Sequence, residues 1–263
     1  MMTNANCPDV TGLPEVTGPA EVIGPAEVSP PPRHRVIFGV DVEASTCRTN
    51  PERAVLRQIM YALLEQALDE AGVTDRFRDP IRDRGDGALV IVRPVDEVPK
   101  TVFLSDVAPR LSALLDRHAI GHPGKPIRLR AVLHAGEVHY DRWSSFGEAL
   151  DLACRLLDAD EARRELRQVR EPLVLVVSED IHRSLVRHGY PGIDATAYRR
   201  LVDVRLGEER HAGWVHVPRR SARPAPDDIP LPRPAPSRLV VVDPAVPLRP
   251  VVVDPAVPLR PVR

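Results

Sequence analysis

Apolar positions change period along the chain, and the changes predict a series of short strands and amphipathic helices. Val36 to Val40 is an unbroken apolar run of strand length that ends on Asp41, the pattern of a buried strand. The small, polar stretch Val42 to Thr46 reads as a loop. Asn50 and Pro51 then make a helix start, with asparagine as cap and proline in the first turn. Val55, Ile59, Leu63, Leu64, Ala67, Leu68 and Ala71 keep helical spacing until Gly72 stops it.

A hairpin follows. Ile81 to Arg84 enters, Gly85-Asp86-Gly87 turns, and Ala88 to Val92 leaves; Asp-Gly between two strand-like segments is a strong hairpin signal. A second helix is predicted from about Asp106 to His118, carried by Val107, Leu111, Leu114 and Leu115, with Pro109 in its first turn. Ile127 to His134 alternates, placing Arg128 and Arg130 on the face opposite Leu129 and Ala131. A turn at Gly136, a short strand from Val138 to Tyr140 and a loop lead to a helix running from Gly147 to about Gln168. Asp151 and Arg155 stand four apart and so share a face of that helix, where the plain alternative is a surface ion pair. Leu173 to Val177 reads as another strand, Ser178 as the cap of a short helix ending near His188-Gly189, and Tyr198–Leu206 and Gly213–Val217 as two last strands. Alternating strands and helices with tight hairpins mixed in predict an α+β domain over residues 35–218, with a mostly antiparallel sheet and helices packed on it.

Outside that span the periodicity vanishes. TGLPEV, TGPAEV and IGPAEV follow one another from Thr11 to Val28, and VVVDPAVPLRP occurs twice in tandem near the other end. Regular proline blocks helix and sheet interior, so residues 1–34 and 219–263 are expected to be disordered, Pro-rich arms. Such a tail can serve as a polyproline spacer or as a ligand for a partner, and unselected repeat expansion explains it equally well.

Composition narrows the partners. Lys+Arg is 36 and Asp+Glu is 37, a balance that argues against a nucleic-acid-binding or membrane-binding surface. The basic residues are almost all arginine, Lys100 and Lys125 being the lysines. Cys7, Cys47 and Cys154 have no metal-like spacing, and an odd number argues against a disulfide framework. With no long apolar run and no signal-like N-terminal segment, a soluble, cytoplasmic protein is expected.

Two carboxylates stand where strands end. Asp41 precedes a small polar loop that leads to a helix, a setting that suits a divalent cation and a phosphate chain, or simply an Asx turn. Asp86, in Gly-Asp-Gly, reads as the exposed tip of its hairpin. If the two strands are neighbours the carboxylates converge, and oxygen ligands of that kind suit Mg²⁺ or Mn²⁺ with substrate phosphates. His134 and His139 lie on strands and read as structural, and Cys154 as a small apolar helix residue.

FGVDVEAST, RDRGDGALVIV and LRAVLHAGEVHYDRWSSFGEALDLACRLLDA, in that order, resemble the three successive signatures of the class III nucleotidyl cyclase catalytic domain. The resemblance covers Arg35 to Val217. It implies a ferredoxin-like βαββαβ core, a head-to-tail homodimer with shared active sites, and conversion of a nucleoside triphosphate to a 3′,5′-cyclic nucleotide and pyrophosphate. By position it makes Asp41 and Asp86 the metal aspartates, for Mg²⁺ or Mn²⁺, and lays Glu43 to Thr46 along the triphosphate, with Ser45 and Thr46 as phosphate contacts. Arg155 falls on the transition-state arginine. Asp151 stands where an asparagine orients the ribose, Arg82 where a lysine contacts the base, Ser144 where the second base contact is often aspartate, and Ala44 where glycine is common. Without the lysine and aspartate, adenine recognition is unsupported, leaving guanine or a pyrimidine. The late triphosphate lysine has Arg205 and Arg210 as its candidates. The same residues fit a second reading, a catalytically inactive cyclase-homology module that binds a nucleotide or a partner. A third is a plain interaction protein using its Pro-rich tails.

Overall fold

A computed structural model describes residues 30–218; both repeat segments lie outside the described residues, apart from the domain-proximal residues 30–34. The elements in chain order are β1 (Arg33–Val42), α1 (Asn50–Glu70), β2 (Arg82–Asp83), β3 (Gly87–Val92), α2 (Ala108–Gly121), β4 (Leu129–Tyr140), β5 (Ser145–Phe146), α3 (Glu148–Leu157), α4 (Asp160–Gln168), β6 (Leu173–Ser178), α5 (Glu179–Ser184), β7 (Arg199–Leu206) and β8 (Glu209–His216). The sheet runs β2-β3-β1-β4-β6-β8-β7, with β5 paired to β4 off this path. Its first four strands, all antiparallel, form the ferredoxin-like order with β1 in the middle. The fold is α+β: β6 adds in parallel to β4, and the β7–β8 hairpin closes the far edge.

Strand alternation sends side chains to two helical layers. Phe38, Val40, Val90, Ala131 and Leu175 face α1 and α2, packing against Met60, Leu64, Leu111 and Leu115. Ile37, Ile91, Val132 and Val176 face α3 and α4, against Ala153, Leu156, Leu157 and Leu166. Strands buried on both faces read as continuous apolar runs, which is why β1, β3 and β6 were legible without alternation. α1 is capped one residue earlier than the sequence suggests: Glu52 accepts from the Thr49 N–H at 2.8 Å and from its hydroxyl at 2.7 Å, so the third helical residue reaches back to the cap.

Three expectations are corrected. Gly136 does not turn the chain; β4 runs unbroken from Leu129 to Tyr140, paired to β1 throughout Arg33–Val42. The glycine is there for packing, since a Cβ on it would lie 2.7 Å from the Cβ of Ala149 on α3. The long helix predicted from Gly147 is two helices. The chain leaves helical geometry at Ala159 (φ −60, ψ 137) and restarts with Asp160 and Glu161 in the new first turn. The Leu157 carbonyl, which a continuous helix would use at residue 161, accepts instead from Arg130 Nε at 3.2 Å. Finally, α2 is preceded by a wide π-type turn at Phe103–Val107, so the helical stretch starts before Asp106.

His134 is buried in β4, its Nδ1 2.8 Å from the Ser178 hydroxyl. His139 stacks on Phe146 at 5.2 Å. Burial pulls the His134 pKa down to about 4, with His211, His34 and Lys100 pulling the same way and Asp180 opposing.

Two tests follow from the packing. Gly136→Ala should cost about 1–3 kcal/mol in urea unfolding, because neither backbone can retreat. His134 takes its proton more readily in the unfolded chain, so its stabilising contribution is complete above pH 6.5 and is lost as pH falls toward about 4. The loss is on the order of 3 kcal/mol, and His134→Gln should flatten that part of the stability–pH curve.

Candidate functional site

Asp41 does not end its strand; it pairs with Gly87 on β3 and with Arg130 on β4, both by register. The β1–β3 pairing carries the β2–β3 turn over the end of β1, and the Val42 N–H donates to the Asp86 carbonyl at 3.0 Å. Gly87 makes this approach feasible: a Cβ there would sit 2.3 Å from the Val40 carbonyl oxygen and 3.4 Å from Asp41 Oδ1. Asp86 is therefore half-buried rather than an exposed tip, and its carboxylate stands beside that of Asp41.

Alternation along β1 turns Asp41 toward the α3–α4 layer, the face that also holds Ile37. Arg130, on the same face of β4, donates to its carboxylate through Nη2 while Nε holds Leu157. Sequence reasoning missed this arginine. The signal was present: a guanidinium on a strand buried on both faces requires an anion. Burial is the largest influence on Asp41 and pushes its carboxyl up to about 6, against the pull of Arg130; Asp86 and Asp158 push the same way. Burial also acts to raise Asp86, but hydrogen bonds from Ser45, from its own backbone N–H and from Asp41 carry it below the usual carboxylate range. Below about pH 6 it is therefore Asp41 that carries a proton, and Asp86 that stays ionised.

The loop after β1 closes the floor of a cleft of about 570 Å³. Ser45 is buried and its hydroxyl donates to Asp86 Oδ2 at 2.5 Å. Ala44 sits in the left-handed region (φ 55, ψ 33), strained for a residue with a Cβ. Thr46 lines the same cleft. Its acids are Asp41, Glu43, Asp86 and Asp158; its bases are Arg84, Arg130, Arg163 and Arg167. Glu43 is held by Arg128 at 3.4 Å, and Arg128 also donates to the Leu166 and Val169 carbonyls at the end of α4. Two adjacent carboxylates and a hydroxyl, partly dehydrated, are an oxygen donor set that suits a hard divalent cation.

The remaining sequence-singled residues lie elsewhere. Asp151 and Arg155 are exposed on α3, do not line this cleft, and form no ion pair with each other among the described residues. Arg82 and Ser144 meet: Nη1 of the arginine donates to the serine hydroxyl at 2.7 Å across a separation of 62 residues. Ser144 is set by Asp141, which accepts from the Ser144 N–H at 2.6 Å and the Trp143 N–H at 2.8 Å. Arg205 and Arg210 oppose each other on the β7–β8 hairpin and are not part of the cleft. Glu148, Glu209 and His211 also converge, their ligand atoms within 4.8 Å of one another at the opposite end of α3 from Leu157.

No family model and no curated protein matches the chain. Solved structures similar to it include the guanylyl cyclase Cya2, at 13% identity and a TM-score of 0.48, covering 71% of this chain and 93% of that one. An adenylate/guanylate cyclase/hydrolase from Silicibacter pomeroyi shows 20% identity and a TM-score of 0.49 over 72% and 98% of the two chains. The adenylyl cyclase CyaB from P. aeruginosa shows 13% identity and a TM-score of 0.47 over 71% and 94%. Among the described residues no helix is long and apolar enough to cross a membrane.

Ala44→Gly should remove the left-handed strain at the cleft floor. After allowance for the looser unfolded chain, the expected gain is roughly 0.5–1 kcal/mol, read as a rise of a few degrees in Tm.

Proposed function

We propose that this chain is a divergent nucleotidyl cyclase that converts a nucleoside triphosphate to its 3′,5′-cyclic monophosphate and pyrophosphate, working as a head-to-tail homodimer. The observation that carries the reading is the Asp41–Asp86 pair. Two adjacent acids, Asp41 on β1 and Asp86 in the β2–β3 turn, beside a small polar loop, favour a divalent cation that would take the place of the proton Asp41 retains up to about pH 6. Asp41 and Asp86 would hold Mg²⁺ or Mn²⁺, with Ser45 turning its hydroxyl toward the phosphates. Bound there, the metal supplies positive charge to the triphosphate and acidity to the ribose hydroxyl. In the reaction the 3′-oxygen bonds to the α-phosphorus as the bond to the α–β bridging oxygen breaks, pyrophosphate leaves, and the hydroxyl proton passes to solvent.

Arg155 projects from α3 into solvent in a single chain, so it acts on the site of a second copy, where its guanidinium would steady charge on the reacting phosphate. Asp151, one turn earlier on the same exposed face, would lie by the ribose. Arg82 offers only donors, and the Ser144 hydroxyl holds one of them in place. That pair fits the O6 and N7 acceptors of guanine better than the amino edge of adenine. A second reading, a module that binds the triphosphate without turning it over, is favoured by one feature: Asp151 sets an anion where the substrate is itself anionic.

The test is incubation of the full chain with each ribonucleoside triphosphate and Mn²⁺ or Mg²⁺, with cyclic product resolved by chromatography. The expected outcome is cyclic product from GTP above all. Asp41→Ala or Asp86→Ala should abolish it, and Arg155→Ala should lower it about 10²-fold or more. Asp151→Asn should raise turnover. Triphosphate binding with no product from the wild type would establish the second reading.

A further inference from the structure

The break between α3 and α4 has a chemical consequence inside the cleft. A continuous helix would carry the residues after Leu157 onward in line with α3; the chain instead leaves helical geometry at Ala159 and restarts at Asp160, and Arg163 and Arg167 of α4 both line the cleft. They are four apart, so they stand on one face, one turn from each other. Arg84, from the β2–β3 turn, comes to the same wall from the other side. Asp158, at the break itself, is paired to both flanks: Arg84 Nη2 at 3.5 Å and Arg163 Nη2 at 3.4 Å. Arg163 also reaches Asp160 at 3.1 Å, while Arg167 makes no ion pair among the described residues.

This wall is more basic than its own anion requires. Three guanidiniums stand beside two carboxylates, Asp158 and the exposed Asp160, and both pairs to Asp158 are long and partly exposed, so they contribute little and exchange readily. Guanidinium groups bind phosphate oxygens through paired N–H donors, and a cluster of them at the rim of a carboxylate pair suits a chain of phosphates whose other end is held by a cation.

We propose that Arg84, Arg163 and Arg167 are a polyphosphate clamp, with the Asp158 carboxylate engaging Arg84 and Arg163 and yielding to the β- and γ-phosphates of a triphosphate. The clamp rests on the nucleotide-site reading above and adds to it where the charge on the leaving pyrophosphate is held. That charge is held by α4 of the same protomer, not by Arg205 or Arg210 on the far hairpin. The ligand is then recognised by its phosphates: triphosphate over monophosphate, with the base read elsewhere.

The experiment is calorimetric titration of the full chain with inorganic tripolyphosphate and, separately, orthophosphate, in Mn²⁺ at fixed ionic strength. Tripolyphosphate should bind and orthophosphate should bind far more weakly. Arg163→Ala and Arg167→Ala should each weaken tripolyphosphate about tenfold, and the double variant at least about thirtyfold. Asp158→Asn should tighten it about threefold or more by removing the competitor, a gain that a damaged fold would not produce. The clamp is overturned if the double variant binds like wild type, if Asp158→Asn weakens binding, or if the wild type ignores tripolyphosphate. Cyclic product is scored separately. Tripolyphosphate binding without cyclisation keeps the clamp and removes the cyclase, and cyclisation unaffected in the double variant does the reverse.

Discussion

β1 lies between two antiparallel neighbours, and the register of both pairings decides what this domain can do. Because Asp41 is opposite Gly87 on one side and Arg130 on the other, Asp41, Arg130 and the Asp86 that precedes Gly87 meet at one end of a largely apolar sheet. A shift of one residue in either pairing would move Asp41 to the other face, into the packing of α1 and α2. The long apolar runs of β1, β3 and β4 hold that register, since each is buried on both faces. The site is therefore anchored by core packing rather than by its own ion pairs.

The polar end of the sheet is held close to neutrality by exchangeable partners. Arg130 faces Asp41, Ser45 faces Asp86, Arg128 faces Glu43, and Asp158 faces two arginines. Asp41, buried and crowded by other acids, keeps a proton up to about pH 6. Each of these arrangements satisfies groups that would otherwise be dehydrated without a partner, and each is compatible with replacement by a ligand of matching charge. Under the proposed function a cation would exchange for the proton on Asp41, and under the proposed clamp phosphates would exchange for Asp158.

Arg130 links this electrostatics to the helical layer. Its Nε takes the Leu157 carbonyl as its Nη2 meets Asp41, so the side chain that neutralises the acid also ends α3. Arg128, two residues earlier, gathers the last carbonyls of α4 and the Glu43 carboxylate. Two arginines on one strand thus hold the C-terminal ends of α3 and α4 beside the cleft. Asp151 and Arg155 on α3 remain exposed, and Arg82 and Ser144 bond to each other away from this cleft.

The sequence by itself determined the order of elements, the central strands, the Gly-Asp-Gly hairpin and the two acids, because apolar runs and turn residues act over a few positions. It also showed that Arg82, Ser144 and Asp151 depart from the pattern of the family it resembles, while Arg155 keeps to it. It misread Gly136 as a turn and ran α3 into α4, since in both places the deciding contact comes from far along the chain: Ala149 beneath Gly136, and Arg130 on the Leu157 carbonyl. Arg84, Arg163 and Arg167 were invisible among so many arginines until the helix break brought them to one wall. Local pattern encodes what each segment becomes. Which charges meet depends on strand register and helix direction, and those exist only once the segments have packed.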